Sequence, residues 1–147
     1  MKLTDALLGE HGVFYALFED LERSLSAAET ADDVHRAAAP MAAALTSHAE
    51  LENEVLFPAL EARIGPAGPL AVMRAEHEEI EALLEDLPGI GDPAQAAAAL
   101  RDIIDTARNH FAKEENVLFR LAAAEVPEAE LCELARRWAT ARGVALG

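Results

Sequence analysis

The sequence has few residues of the kinds that cross-link a chain or build a sheet. Its only cysteine, Cys132, excludes a disulfide bond within the chain. Aromatic and β-branched residues are few while alanine and leucine dominate, which favours helix over sheet. No apolar run is long enough to cross a bilayer. Because Thr4, Asp5 and Glu10 interrupt the N-terminus before any long apolar run, we expect no signal peptide and a cytoplasmic location.

Basic residues are also scarce, with 12 Lys and Arg against 27 Asp and Glu and a formal net charge of −15. Such an acidic surface repels phosphate backbones and anionic lipids, so we expect neither a nucleic acid nor a membrane partner. The 147 residues, 52% of them hydrophobic, suffice for one globular core. We therefore predict a single domain over residues 1–147, of undetermined oligomeric state.

Glycine, proline and capping residues divide the chain into amphipathic helical segments. Four long segments are predicted at about residues 4–28, 31–63, 67–87 and 93–125, and a shorter fifth at about 127–143. Pro40 and Pro58 are expected to kink or delimit the second segment. Four long helices with short connections predict an all-α, up-down-up-down four-helix bundle over residues 4–125, with the fifth helix packed outside.

An internal repeat relates the two halves of this predicted bundle. Residues 11–21 align without gaps on residues 77–87, and residues 48–57 align on residues 110–119. The alignment pairs four of the five histidines, His11 with His77 and His48 with His110. Two similar helical hairpins packed around an approximate twofold axis could present the same donors from both sides to a shared centre.

Two of these histidines have a glutamate four residues later, in the pairs His48 and Glu52, and His110 and Glu114. Four residues advance a helix by about one turn, so each pair shares the apolar face of its helix. His11 and His77 lie on the apolar stripes of the first and third segments. Ionisable groups in a bundle core are costly unless they are paired or bind metal. Bridging carboxylates and neutral imidazoles around two cations would stabilise this arrangement.

Each motif taken alone has a simpler explanation, because polar pairs four residues apart are common on helix surfaces. The matched pattern in both halves favours a metal site over a metal-free helical interaction module. A ferritin-like oxidase would place an acid three residues before a histidine, but Leu8, Leu45, Arg74 and Ala107 occupy those positions. The carboxylates fit iron or manganese better than zinc.

The order His11, His48-x-x-x-Glu52, His77, His110-x-x-x-Glu114 resembles the hemerythrin-like, or HHE, domain family over residues 5–122. The segment from Glu52 to Pro58 resembles the same family. The resemblance implies two non-haem iron ions (Fe²⁺/Fe³⁺) in a four-helix bundle, with an oxo or hydroxo bridge. It also implies which side chains bind which iron. His11 and His48 would bind one iron, His77 and His110 the other, and Glu52 and Glu114 would bridge the two.

The sequence departs from the oxygen-carrying members of that family at two positions. Glu81 stands where they have a fifth histidine, and its position on the stripe of His77 predicts an additional ligand. They also have an aspartate five residues after the last histidine, which here is Glu115. The repeat favours Glu114 as the second bridge, since Glu114 aligns with Glu52 whereas Glu115 aligns with Asn53.

Tyr15, the only tyrosine, aligns with Glu81 in the repeat. It could bind the other iron, donate a hydrogen bond to a bridging group, or pack with its hydroxyl satisfied elsewhere. His35 lies 13 residues before His48 on another face, so we leave it out of the site.

A carboxylate in place of a histidine should stabilise ferric iron, which argues against simple oxygen carriage. We therefore expect a di-iron protein that reacts with or senses O₂, H₂O₂ or NO. A peroxide-decomposing (catalase-like) or oxidase-type enzyme on the same fold is the alternative, and the residues do not separate the two.

Overall fold

The computed structural model describes residues 1–146 as helices joined by short turns, with no β-strand among them. The helices are α1 (Leu3–Leu25), α2 (Ala31–Leu51), α3 (Phe57–Ile64), α4 (Pro69–Asp86), α5 (Pro93–Lys113), α6 (Phe119–Glu125) and α7 (Glu128–Arg142). A π-helical turn, Glu52–Leu56, joins α2 to α3, and a second one, Glu114–Leu118, joins α5 to α6. A 3₁₀ turn, Leu87–Gly89, follows α4. The all-helical prediction is confirmed, and each predicted long segment corresponds to one helix or to two helices joined by a π turn.

Capping residues explain where two of these helices begin. The Thr30 hydroxyl accepts a hydrogen bond from the backbone N–H of Asp33 (3.1 Å), and the Asp33 carboxylate accepts one from the N–H of Thr30 (2.9 Å). This reciprocal capping box satisfies N–H groups that the first turn of α2 leaves unpaired. At α5, Asp92 accepts from the N–H of Gln95 (2.9 Å), and Pro93 needs no acceptor in the first helical turn.

The charge of Asp33 makes the stability of α2 sensitive to acid. Hydrogen bonds from Thr30 and from the N–H of Glu29 hold the pKa of Asp33 below its ordinary value of 3.8. A depressed folded-state pKa gives stability that is present above the unfolded-state value and is lost as pH falls through the folded-state pKa. We expect Asp33→Asn to lower the melting temperature at pH 7, and the difference from the wild type to shrink below about pH 4. Thermal melts of both proteins between pH 2 and pH 7 would check this, and a constant difference over that range would contradict it.

Proline does not end the second helix at Pro40, since α2 continues through it from Ala31 to Leu51. Pro58 lies in the first turn of α3, directly after the π turn. The chain reverses between α3 and α4 at Gly65 and Gly68, whose φ angles of 78° and 68° favour glycine. The prediction that Pro40 could delimit the second helix is therefore wrong. Pro58, in contrast, lies where the π turn gives way to an α-helix.

The buried side chains form two apolar clusters, which we name the Phe18 cluster and the Phe57 cluster. The Phe18 cluster includes Phe14, Phe18, Leu45, Ile80 and Ala107, and the Phe57 cluster includes Leu7, Leu51, Phe57, Met73 and Leu118. On α1, α2 and α4 one histidine (His11, His48 or His77) lies between residues of the two clusters. On α5, His110 lies at the end of the Phe18 cluster, and the Phe57 cluster begins at Leu118 in the π turn that follows. These helices therefore carry a buried polar layer between two apolar ones.

Helix contacts hold this polar layer together. α2 packs against α5 and α1, α4 packs against α5, and α1 also contacts α5. α7 packs along α1 and contacts the π turn at residues 52–56. Within residues 1–146, no helix has the length and apolarity needed to span a membrane.

Candidate metal centre

The polar layer consists of six side chains that are almost completely buried. The exposed fraction is 0% for His11, Glu52 and Glu114, 2% for His48 and His110, and 6% for His77. Four helices supply one histidine each, and the two glutamates open the two π turns. Burying six ionisable groups together is unfavourable unless they satisfy one another or hold cations.

The donor atoms of these side chains form two groups of four, in each of which they lie within 4.8 Å of one another. One group contains His11, His48, Glu52 and Glu114, and the other contains Glu52, His77, His110 and Glu114. Each group holds one pair of histidines, and both glutamates belong to both groups.

Each glutamate reaches both groups. Glu52 Oε1 lies 3.3 Å from His48 Nε2, while Glu52 Oε2 lies 3.3 Å from His77 Nε2. Glu114 Oε2 lies 3.1 Å from His11 Nε2, and Glu114 Oε1 lies 2.8 Å from His110 Nε2. A carboxylate directed in this way can join two cations.

The two π turns begin at these glutamates. The N–H of Phe57 donates to the carbonyl of Glu52, and that of Phe119 donates to the carbonyl of Glu114, five residues back instead of four. Both turns lie at equivalent positions of the internal repeat. Single π turns inside α-helices occur frequently at functional sites, and here each one follows a His-x-x-x-Glu pair.

Each histidine has one ring nitrogen, Nδ1, that points away from the donor groups, and we call it the outer nitrogen. The outer nitrogens of three histidines donate hydrogen bonds to oxygens outside the two groups. His48 Nδ1 donates to Glu10 Oε2 (2.6 Å), His11 Nδ1 to Glu115 Oε1 (2.9 Å), and His77 Nδ1 to Asn53 Oδ1 (3.0 Å). A proton fixed on Nδ1 leaves the lone pair on Nε2 directed at the donor group, and the bond fixes the plane of the ring.

Protonation stabilises this layer when no cation is present. Burial lowers the pKa of His48, but the carboxylates of Glu52 and Glu10 outweigh burial and raise that pKa to about 10. Burial likewise lowers the pKa of His77, and its contacts with Glu114 and Glu52 raise it to about 9. Burial raises the pKa of Glu114, yet its histidine neighbours hold it well below 4.5. Protons then occupy positions that a cation could take, so cation binding and proton release are coupled.

Several atoms of the layer have no hydrogen-bond partner among residues 1–146. They are Oε1 and Oε2 of Glu52, Oε1 and Oε2 of Glu114, Nε2 of His77, and both ring nitrogens of His110. Buried polar atoms are rarely left unpaired in native proteins. Four imidazoles and two shared carboxylates fit a pair of divalent or trivalent cations, and such ions would satisfy most of these atoms.

A comparison with protein-family models matches residues 2–122 to the hemerythrin HHE cation binding domain. The chain belongs to the hemerythrin HHE cation-binding domain family. The match includes all six residues of the polar layer and ends before α7 begins at Glu128.

Curated relatives of this hemerythrin-family chain include iron-sulfur cluster repair proteins YtfE. The YtfE of Cronobacter sakazakii is 37% identical, and that of Escherichia coli (strain K12 / DH10B) is 32% identical. Each alignment covers 54% of this chain and 42% of the relative, so the match spans less than half the length of these relatives. No solved structure matches the chain.

Sequence reasoning missed the side chains that hold the outer nitrogens of the histidines. The internal repeat carried a signal for them, since Glu10 and Glu76 each precede a matched histidine, and Asn53 and Glu115 each follow a matched glutamate. Glu10 accepts from His48, and Glu76 lies 3.8 Å from His110 Nδ1. Asn53 accepts from His77 and Glu115 accepts from His11, so each contacts a histidine of the other half of the repeat. All four positions of the repeat therefore face an outer nitrogen of a histidine.

Glu81 and Tyr15, two residues that the sequence singled out, lie outside both donor groups. Glu81 is exposed on α4, because buried Ile80 takes the inward position at that level. For Glu81 to bind a metal, its side chain would have to turn inward. The Tyr15 hydroxyl donates to Glu115 Oε1 (2.8 Å), so it is satisfied by a residue that also accepts from His11. Burial and this hydrogen bond raise the pKa of Tyr15, which keeps the phenol protonated.

A cleft of about 60 Å³ reaches the layer between α2, α4 and α5. Polar side chains in its lining include His48, His77, His110, Asn53 and Glu81, and the apolar ones include Leu45, Ile80, Leu84 and Phe111. The volume accommodates a few waters or a molecule of two to four atoms. The cleft therefore gives small molecules access to the group that contains His77 and His110.

Proposed function

We propose that this chain is a non-haem di-iron protein of the hemerythrin type that reacts with or senses a small molecule such as O₂, H₂O₂ or NO. The observation that supports it most is the sharing of Glu52 and Glu114 between two histidine pairs. His11 and His48 would hold one iron, His77 and His110 the other, and the two carboxylates would bridge them.

The fold proposed for this function is a single domain with an up-down-up-down four-helix bundle and an added C-terminal helix. Its support is the order in which the helices pass the two apolar clusters. α1 and α4 pass from the Phe57 cluster to the Phe18 cluster. α2, and α5 together with the π turn and α6 that follow it, pass in the opposite direction. A cytoplasmic location remains a prediction from composition.

Bound iron would supply one-electron redox chemistry. The chain's own contribution is to hold protons on the outer nitrogens of His11, His48 and His77, to orient these rings, and to limit water to the cleft. The apolar part of the cleft lining and its small volume favour small uncharged ligands over larger organic substrates.

The direct test is the number of metal ions per chain, measured by elemental mass spectrometry on protein purified without chelators or an affinity tag. We expect about two irons per chain, the number that two donor groups would hold. A protein that stays free of metal after anaerobic loading with ferrous iron would overturn the proposal and favour a metal-free helical module.

The role of Tyr15 can be tested separately by absorption spectroscopy. Because the Tyr15 hydroxyl donates to Glu115, we expect the ferric protein to lack a visible phenolate-to-iron band. Tyr15→Phe should leave the absorption spectrum and the iron content unchanged. A visible band that disappears in Tyr15→Phe would instead make Tyr15 a ligand.

Two narrower functions share this site. Steady-state turnover of H₂O₂ by the iron-loaded protein would favour the peroxide-decomposing enzyme, and its absence would favour a sensor or a stoichiometric reaction. A role in iron-sulfur cluster repair is the second candidate, favoured by the likeness to YtfE proteins. It predicts that the iron-loaded chain restores activity to an iron-sulfur enzyme inactivated by peroxide, whereas the metal-free chain does not.

A further inference from the structure

The C-terminal helix α7 lies outside the family match yet contacts the polar layer through one side chain, Glu10. α7 packs along α1 with buried Leu131, Leu134, Ala135 and Ala139. Next to this apolar contact, two polar side chains of α7, Trp138 and Arg142, point to the Glu10 carboxylate on α1. The contact of α7 is therefore both apolar and polar.

Glu10 joins α7 to a histidine of the metal centre. Its Oε1 accepts from Trp138 Nε1 (2.8 Å) and from Arg142 Nε (2.6 Å). Its Oε2 accepts from His48 Nδ1 (2.6 Å) and from Arg142 Nη2 (3.3 Å). Four N–H groups thus converge on one carboxylate that is 17% exposed, and one of them belongs to a candidate ligand. Such charge-assisted bonds are strong and fix the carboxylate in one orientation.

Arg142 also holds the α2 backbone next to His48. Its Nη1 donates to Ser47 Oγ (2.7 Å), and its Nη2 lies 3.4 Å from the Ser47 carbonyl oxygen. A second cleft of about 270 Å³, lined in part by Ser47, Leu51, Arg137 and Arg142, lies between α2 and α7. Since apolar packing does not fill this space, the Arg142 contacts account for much of the connection between α7 and α2.

His48 differs in this respect from the other three histidines. The outer nitrogens of His11 and His77 face Glu115 and Asn53, which lie in the π turns, and that of His110 faces Glu76 on α4. Only the partner of His48 is held by α7 among residues 1–146. A partner of this kind sets the ring orientation and basicity of a metal-ligating histidine.

We propose that α7 is a positioning element of the metal centre, in which Trp138 and Arg142 hold Glu10 against His48 and thereby couple the docking of α7 to metal affinity. This inference rests on the proposed function. Because coupling between two sites is reciprocal, metal binding should also strengthen the attachment of α7.

Metal affinity of the full chain tests this coupling, with ferrous iron added anaerobically in competition with a chelator. We expect Arg142→Gln and Glu10→Gln each to weaken iron binding by roughly 10–100-fold, the usual effect of losing such a partner. Arg136→Gln is the matched control, because Arg136 is exposed on the same helix and, among residues 1–146, its side chain pairs only with Glu133. It should bind iron as the wild type does.

A double-mutant cycle separates positioning from a general loss of structure. If Arg142 acts through Glu10, adding Arg142→Gln to Glu10→Gln should change the iron affinity little further. Trp138→Phe keeps an aromatic side chain and the charge of the helix but removes the N–H that donates to Glu10, so it should weaken binding in the same direction even where Arg142→Gln folds poorly. Circular dichroism melts of the metal-free variants would identify unfolding.

Trp138 also reports the reverse coupling, because it is the only tryptophan of the chain. Zinc is a suitable probe since it has no redox chemistry. Equilibrium dialysis would measure how much zinc is bound. We expect bound zinc to shift the fluorescence of Trp138 in the wild type and to shift it less in Arg142→Gln.

Three outcomes would overturn the coupling. Iron affinities of Arg142→Gln and Trp138→Phe equal to that of Arg136→Gln would overturn it alone and leave the di-iron function intact. Fully additive effects of Arg142→Gln and Glu10→Gln would do the same. A wild type that binds no metal would overturn the proposed function and the coupling together.

Discussion

Glu114→Gln is expected to lose at least half of the bound iron, whereas Glu115→Gln is expected to keep it. Glu114 is completely buried and belongs to both donor groups, so its amide variant would weaken both positions at once. Glu115 belongs to neither group and contacts the centre only through His11 Nδ1, where a glutamine amide oxygen can still accept. Elemental analysis after anaerobic loading would give the iron content of both variants.

This pair of variants also decides between the two candidate bridges that the sequence offered. Neighbouring positions, equal size and the same change of charge make Glu115→Gln a matched control for Glu114→Gln. Full iron content in Glu114→Gln together with iron loss in Glu115→Gln would contradict the proposed ligand set and make Glu115 the bridge. Loss of iron in both would show that the negative charge of Glu115 beside His11 matters as well as the bridge.

Removal of metal is expected to lower the melting temperature of the protein markedly. Without cations, the polar layer leaves buried oxygen and nitrogen atoms without hydrogen-bond partners among residues 1–146, and each costs about 1–3 kcal/mol. A ligand at 100 times its dissociation constant stabilises the folded state by about 2.7 kcal/mol. For a chain of this length that corresponds to a rise of roughly 5–10 °C in the melting temperature.

Differential scanning calorimetry of metal-free and metal-loaded protein at fixed pH would measure this rise. The double variant Glu52→Gln with Glu114→Gln is the control, because it removes both shared carboxylates while keeping the size of the side chains. It should melt at nearly the same temperature with and without metal. Equal melting temperatures for the wild type in both states would contradict the prediction, because they would mean that the metal binds the folded chain no more tightly than the unfolded chain.

The residues of the polar layer could be found from the sequence because the relevant signal is local. A histidine and a glutamate four residues apart share a helical face wherever the helix packs, and the internal repeat marks which of these pairs matter. The same locality explains why the limits of α7 were predicted closely. The π turns were not predicted, since a change from i+4 to i+5 hydrogen bonding at Glu52 and Glu114 leaves no simple pattern in the residues.

The sequence by itself determined the helices, the apolar stripes and the six ionisable residues placed on them, because helical periodicity depends only on spacing along the chain. Only the tertiary structure decided which oxygen of Glu52 or Glu114 faces which histidine, and that Ile80 rather than Glu81 points inward. It likewise decided that Glu10 connects His48 to Trp138 and Arg142, more than 120 residues away in the chain from Glu10. Such contacts depend on the relative rotation and axial position of packed helices, which arise from side-chain packing between elements and not from any local pattern.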